Sequence, residues 1–240
     1  WANKIKLIDL ITHTSGLPAY DNTKSLQEFE GFNEENPFGL FKEDFILSLL
    51  KGVDSIPDYG KIKYSNYGIG VLAIAMENAT GKSFDELFQQ YIVNNLGLKN
   101  TFLQLKEIHF TNLAIPHRGA EVMPLIQLAD LKSAGSIKAS LPDIISFLQI
   151  HLQPSEKYKP IANNVFENQL KDTENRVGIG WGIFERNGVS LRGHNGGTFG
   201  SSSIVIVAPE KNIGLAVVAN NQDNSKLAQY AFRILENLMN

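Results

Sequence analysis

Gly193-His194-Asn195-Gly196-Gly197-Thr198-Phe199-Gly200-Ser201-Ser202-Ser203 lies where the apolar pattern of the chain turns from helical to extended. Before it, Gly180-Trp181-Gly182-Ile183-Phe184 is apolar; after it, Ser201 to Val207 and Ile213 to Ala219 are apolar or β-branched. Asn187-Gly188 and Pro209-Glu210-Lys211-Asn212 punctuate these runs with turn formers, so three or four antiparallel strands joined by tight turns are expected, with the Gly-rich stretch as a turn between two of them. The final run, Ser225 to Met239, puts Leu227, Ala231, Ile234, Leu235 and Leu238 on one helical face, which is expected to cover the sheet.

Upstream of about residue 170 the period is helical. Ile5, Ile8 and Ile11 recur at helical spacing until Thr14-Ser15-Gly16-Leu17-Pro18 stops them. Residues 20–41 are polar with Gly, Asn and Phe interspersed, the pattern of a long surface loop or lid. Phe41 to Leu50 resumes the helical period, with Gly52 placed as a left-handed cap. Asn66 through Ala79 reads as a buried helix ended by Gly81. Ser83 then caps an amphipathic run from Phe84 to Leu96, with Asp85 and Glu86 suiting the helix dipole and Gly97 at its end. These two helices form an expected hairpin. Residues 98–140 are irregular, and Leu141-Pro142-Asp143 opens a helix to Leu152. The expected class is α+β, with a mainly helical subdomain over 1–170 and, over 171–240, antiparallel strands covered by a C-terminal helix.

Composition narrows the function. The 240 residues, 43% hydrophobic and 20% charged, suit a globular protein with a core large enough to enclose a site. Net charge is -3 and the 22 basic residues are scattered, which argues against a nucleic-acid partner. No apolar run is long enough to span a bilayer. There is no cysteine, and the five histidines are far apart without an H-x-x-x-H pair, so neither a thiol nucleophile nor a metal site is expected. Trp1-Ala2-Asn3-Lys4 shows neither an initiator Met nor an export signal, and the true amino terminus is expected upstream.

Three stretches carry chemistry. In Tyr64-Ser65-Asn66 a phenol and a carboxamide two residues apart can face one cavity, the phenol to move a proton and the amide to hold a carbonyl. The same residues also suit a helix start with Ser65 or Asn66 as its cap. In Gly193 to Thr198, glycines allow a ligand to approach the backbone and leave N–H groups for an oxyanion, while His194 titrates near neutral pH; a Gly-rich turn can equally have no function. In Leu10-Ile11-Thr12-His13-Thr14-Ser15-Gly16-Leu17-Pro18, side-chain hydrogen bonds that end a helix and shape a turn account for the polar residues.

Taken in order, L-I-T-H-T-S-G-L-P at 10–18, Y-S-N at 64–66, N-A-T-G-K-S-F at 78–84, N-L-G-L-K-N-T at 95–101, A-G-S-I at 134–137 and G-H-N-G-G-T-F-G-S-S-S at 193–203 closely resemble class C β-lactamases, penicillin-binding carboxypeptidases and related serine esterases. That resemblance implies a β-lactamase/transpeptidase-like fold without cofactor or metal. Its site rests on an S-x-x-K helix, a Y-x-N loop and a K-T-G or H-x-G strand. It gives Tyr64 proton transfer, Asn66 the substrate amide or ester side, and the Gly197 N–H half of an oxyanion hole. His194, Asn195 and Gly196 match the third element, with Thr198 beside them as a substrate-binding candidate.

By the same pattern the nucleophilic Ser belongs upstream of T-H-T-S-G. Its segment is therefore an expected partner of this chain, which is expected to be inactive alone and to carry a sheet incomplete at the N-terminus. Ser48-Leu49-Leu50-Lys51 has the S-x-x-K spacing but stands at the carboxyl end of its helix, where the dipole opposes a developing anion. Ser65, by alternation, is expected to point away from the cleft that Tyr64, Asn66, His194 and Gly197 would line. His194 in place of Lys favours a carboxypeptidase-like or esterase-like acyl transfer on an ester, an amide or a D-amino-acid peptide over efficient β-lactam hydrolysis. The alternative is a non-catalytic sensor or binding protein. A periplasmic or secreted location follows from the resemblance.

Overall fold

The computed structural model describes residues 1–20, 23–167, 169–170 and 176–239, with the backbone alone at 2, 23, 108 and 224. Residues 21–22 of the expected loop and 171–175, where the second subdomain is expected to begin, lie outside the described residues. Contacts divide the chain into two compact units, Trp1–Gly97 with Gln127–Ile137, and Leu98–Ile126 with Lys138–Asn240. They cut it elsewhere than at residue 170. The short strands Thr101–Phe102 (β1) and Lys138–Ala139 (β4) pair antiparallel, which joins the segments on either side of 127–137 in one unit.

The first unit contains the helices Leu7–Ile11 (α1), Thr23–Leu26 (α2), Glu43–Lys51 (α3), Asn66–Thr80 (α4) and Phe84–Phe88 (α5). Helix α4 buries Tyr67, Gly68, Gly70, Ala73 and Ile74. A Cβ on Gly70 would stand 2.6 Å from Leu131 Cδ1, so the missing side chain lets the 3₁₀ segment Ala129–Ala134 lie against the helix. The Tyr67 hydroxyl donates to the Ile46 carbonyl at 2.9 Å, which satisfies the one polar atom of a wholly buried ring. Burial, and secondarily Tyr20, pushes that phenol above its ordinary pKa. Gly81 ends α4 in the left-handed region at φ 66°. Ser83 caps α5 in a reciprocal box with Glu86, and the run continues as a π-helix over Gln89–Asn95 before Gly97 turns it at φ 76°.

Two expectations change here. Gly52 has φ -81°, because its N–H bonds to the carbonyls of Ser48 and Leu49 and tightens the last turn of α3, so no left-handed residue is needed. The expected lid over 20–41 is anchored from within. Leu26 and Phe41 are wholly buried, and ring contacts run from Tyr20 to Phe29 (6.4 Å), Phe29 to Phe45 (5.3 Å) and Phe41 to Phe45 (5.6 Å). The phenylalanines that looked scattered in a polar loop are its attachment to the core.

The second unit also holds a small hairpin of His117–Arg118 (β2) with Glu121–Val122 (β3). Its main feature, among the described residues, is a five-stranded antiparallel sheet in the order Arg176–Val177 (β5), Gly182–Arg186 (β6), Val189–Gly197 (β7), Ser202–Ala208 (β8), Ile213–Ala219 (β9). Asn187 and Gly188, at φ 51° and 74°, form the two-residue turn between β6 and β7. Helix Leu141–Leu152 (α6) is joined by Lys159–Phe166 (α7), and Asn224–Met239 (α8) closes the chain. On one face of the sheet α8 packs Leu227, Ala231 and Leu235 on Val189, Leu191, Ile204 and Ile206. On the other, Leu148 of α6 packs with Trp181 and Val207. The buried stripe of α8 is rotated from the expected one: Ile234 and Leu238 are exposed, whereas Ala228, Phe232 and Met239 lie against the core. A wheel drawn through Leu227, Ala231 and Leu235 drifts toward these residues, leaving 234 and 238 at its edge.

His151 on α6 sits among Phe147, Phe166 and Trp181, at 4.3, 5.4 and 5.5 Å between ring centroids, with Nδ1 2.8 Å from the Phe147 carbonyl. Desolvation lowers its pKa below the usual 6.5, outweighing that hydrogen bond. The unfolded chain therefore binds this proton first as pH falls, and stability is lost from about pH 6.5 downward. Thermal melts between pH 7.5 and 5 should show a smaller drop for His151→Phe than for the parent, and identical slopes would refute this assignment.

Candidate active site

The first unit builds one set of candidate residues on a buried turn. The Thr12 hydroxyl donates to the Ile8 carbonyl at 2.7 Å and lies 2.9 Å from the Thr14 hydroxyl; the Ser15 hydroxyl accepts from the Leu17 N–H at 3.3 Å. All three residues are buried. Gly16 has φ 71°, and a Cβ there would come within 2.8 Å of the Tyr59 nitrogen. The polar side chains thus end α1 and shape the turn, as the sequence leads one to expect.

The turn also holds the Tyr64 loop, a role the sequence does not reveal. The Thr14 carbonyl accepts from Gly60 N–H and the His13 carbonyl from Lys63 N–H, each at 2.8 Å, and His13 Nδ1 accepts from Ser65 N–H at 3.2 Å. Ser65, 1% exposed, donates its hydroxyl to the Pro18 carbonyl at 2.8 Å and accepts from Gly68 N–H at 2.9 Å as the N-cap of α4. Its hydroxyl is turned inward and occupied. Tyr64 remains 49% exposed, and Asn66 opens α4 half-buried. Ser48, the chance S-x-x-K match, donates to the Phe45 carbonyl at 2.7 Å near the end of α3.

In the second unit the Gly-rich motif is strand rather than turn. Pairing of β7 with β8 runs through His194↔Val205, Asn195↔Ile204, Gly196↔Ser203 and Gly197↔Ser202, and only Thr198 to Ser201 form the connection, closed by Thr198 N–H to the Ser201 carbonyl at 2.9 Å. A partner strand that continues through the glycines overrides their weak strand propensity. Strand alternation sends neighbouring side chains to opposite faces. His194 shares its face with Val205, on the α6 side; Asn195 shares the α8 side with Ile204. Gly193 is explained by packing, since a Cβ there would meet the Phe184 ring at 3.1 Å. The β6 ladder ends at Gly182, opposite Gly193, so β7 extends beyond it along β8.

His194 is exposed, yet the atoms around its ring desolvate it enough to lower its pKa from 6.5, against a backbone hydrogen bond at Asn195 that raises it. A pKa held below 6.5 favours the neutral imidazole at neutral pH. The connection beside it is braced by the β2–β3 hairpin. His117 N–H donates to the Gly200 carbonyl at 2.9 Å, Asn221 Nδ2 donates to the Gly119 carbonyl at 3.3 Å, and Ser202 Oγ donates to the Asn221 carbonyl at 2.7 Å. Among the described residues no group of three His, Cys, Asp or Glu is gathered to hold a metal.

This combination of helices and an antiparallel sheet is the fold of class C β-lactamases: the structure of one from Rhodobacter sphaeroides superimposes with a TM-score of 0.81 at 18% identity, over 99% of this chain and 73% of that one. A family model described as Beta-lactamase matches residues 1–238, and the chain belongs to that family. Relatives include the D-alanyl-D-alanine-carboxypeptidase/endopeptidase AmpH of Escherichia coli K12, 25% identical over 89% of this chain and 58% of that protein. Another is the Unguisins hydrolase ungD' of Aspergillus campestris, 22% identical over 94% of this chain and 44% of that protein. The chain thus spans about half the length of these relatives.

A Cβ on Gly200 would approach His117 N and Pro116 Cβ to 2.7 Å each and Met123 Cβ to 2.8 Å. Gly200→Ala should cost about 1–3 kcal/mol through overpacking, measured by urea unfolding. A wild-type midpoint would show that the hairpin does not brace the β7–β8 connection.

Proposed function

We propose that the protein carrying this chain is a serine hydrolase that transfers an acyl group from an ester, an amide or a D-amino-acid peptide to water. The observation that carries the reading is Tyr64: a half-exposed phenol, at the head of α4, on a loop whose backbone is hydrogen-bonded into the core. A phenol left half-exposed on a loop held this firmly suits proton transfer better than packing. In this reading the serine of an S-x-x-K segment upstream of Trp1 attacks the carbonyl carbon and its proton passes to Tyr64 and the lysine of that segment. The leaving group departs with a proton, and water then cleaves the acyl-enzyme. The Asn66 carboxamide holds the substrate, and Gly197 N–H donates to the oxyanion.

The register of β7 refines the roles of its residues. His194 and Gly196 act on the α6 side of the strand, and Asn195 contributes backbone rather than side chain. Thr198, whose N–H is engaged within the connection, offers its hydroxyl. A neutral His194 in place of an ammonium favours peptide or ester substrates over β-lactams, in line with the carboxypeptidase and hydrolase names of two relatives. No helix among the described residues is long and apolar enough to cross a membrane, and we place the protein in the periplasm or outside the cell on family resemblance.

Three measurements test this. In a product extended upstream of Trp1, Tyr64→Phe should lower turnover by about 10² to 10⁴ with little change in melting temperature; equal falls in both would make Tyr64 structural. The pH–rate profile should carry an inflection below 6.5 that His194→Gln removes, and a profile unaltered by that substitution would exclude His194. Incubation with a fluorescent penicillin and a fluorophosphonate, followed by intact-mass measurement, should give an adduct on the extended product alone. A stoichiometric adduct on Ser48 or Ser65 of the 240-residue chain would place the nucleophile here, and no adduct on either would favour a binding protein.

A further inference from the structure

We propose that His13 is a positioning residue for Tyr64, holding the backbone of Lys63 and Ser65 through its own carbonyl and its Nδ1 acceptor while its ring forms a platform for the phenol. The inference rests on the proposed proton-transfer role of Tyr64. Three contacts from one residue converge on the loop. His13 O accepts from Lys63 N–H at 2.8 Å, Nδ1 accepts from Ser65 N–H at 3.2 Å, and the imidazole and phenol centroids are 4.3 Å apart at 38°. The two hydrogen bonds therefore clamp the residues on both sides of Tyr64.

The backbone of His13 points the same way. At φ 58° it occupies the left-handed region, uncommon for a residue other than Gly and adopted most readily by Gly. Thr12 and Thr14, its neighbours, are buried and bonded within the turn, so the turn could be closed with a smaller residue at 13. What the imidazole adds is an acceptor aimed at Ser65 N–H and a flat surface under Tyr64. Because Nδ1 accepts, the ring proton is on Nε2 in the neutral form. An acceptor fixed by a closed turn limits the travel of the phenol, and misplacement of a catalytic group by about 1 Å can cost on the order of 10² in rate.

Two substitutions separate the role from folding, since both tolerate a positive φ. His13→Gly removes acceptor and ring; His13→Asn restores an acceptor through Oδ1. In the 240-residue chain, amide exchange should show Ser65 N–H losing protection in His13→Gly and regaining it in His13→Asn. The ring resonances of 13C-labelled Tyr64, assigned with Tyr64→Phe, should move toward those of an exposed tyrosine in both variants. In the extended product, His13→Gly should lower kcat about tenfold to a hundredfold with KM nearly unchanged, and His13→Asn should recover most of it. A kcat unchanged by His13→Gly, or a loss that His13→Asn does not relieve, overturns the proposal. Should Tyr64→Phe itself leave turnover intact, the proposed function fails, while exchange and ring shifts still decide whether His13 holds the loop.

Discussion

The Ser65 hydroxyl, together with its own backbone amide, joins two pieces of chain that lie far apart in sequence. It donates to Pro18 at the end of the first turn and accepts from Gly68 inside α4, while the Ser65 amide reaches His13. Buried at 1% exposure, it cannot turn to water if one partner is lost, so each bond depends on the others. The start of α4, the exposure of Tyr64 and the placement of Asn66 all follow from that knot.

The elements legible in the sequence were apolar runs bounded by clear caps or turns. Asn66–Thr80 and Leu141–Leu152 appear within a residue or so of their expected limits, and Ile213–Ala219 at its expected limits, because Gly81, Ser140 and the turn at 209–212 mark their ends. Where a distant partner decides the conformation, local pattern misleads. The glycines of 193–197 look like a turn until β8 is laid beside them, and the phenylalanines of 29–45 look scattered until they are seen to touch one another. The capping of α3 without a left-handed Gly52, and the rotation of the buried stripe on α8, depend on contacts with no local signature.

The candidate site was legible in a different way. Tyr64, Asn66 and His194 are individually ordinary, and only the order of short motifs along the chain singled them out. Physical reading of the residues could not have supplied the contact between His13 and Ser65, 52 positions apart, nor the bracing of Gly200 by the 115–123 segment. Both involve backbone atoms, which every residue possesses and no residue type advertises.

Alternation along β7 has a consequence for how the protein can diversify. Position 194 projects to the face on which α6 packs, and position 195 to the face covered by α8. Both side chains are exposed at this end of the strand, so position 194 can change its charge or size without disturbing the last helix. A lineage could in this way exchange imidazole for ammonium while the architecture behind the strand stays as it was.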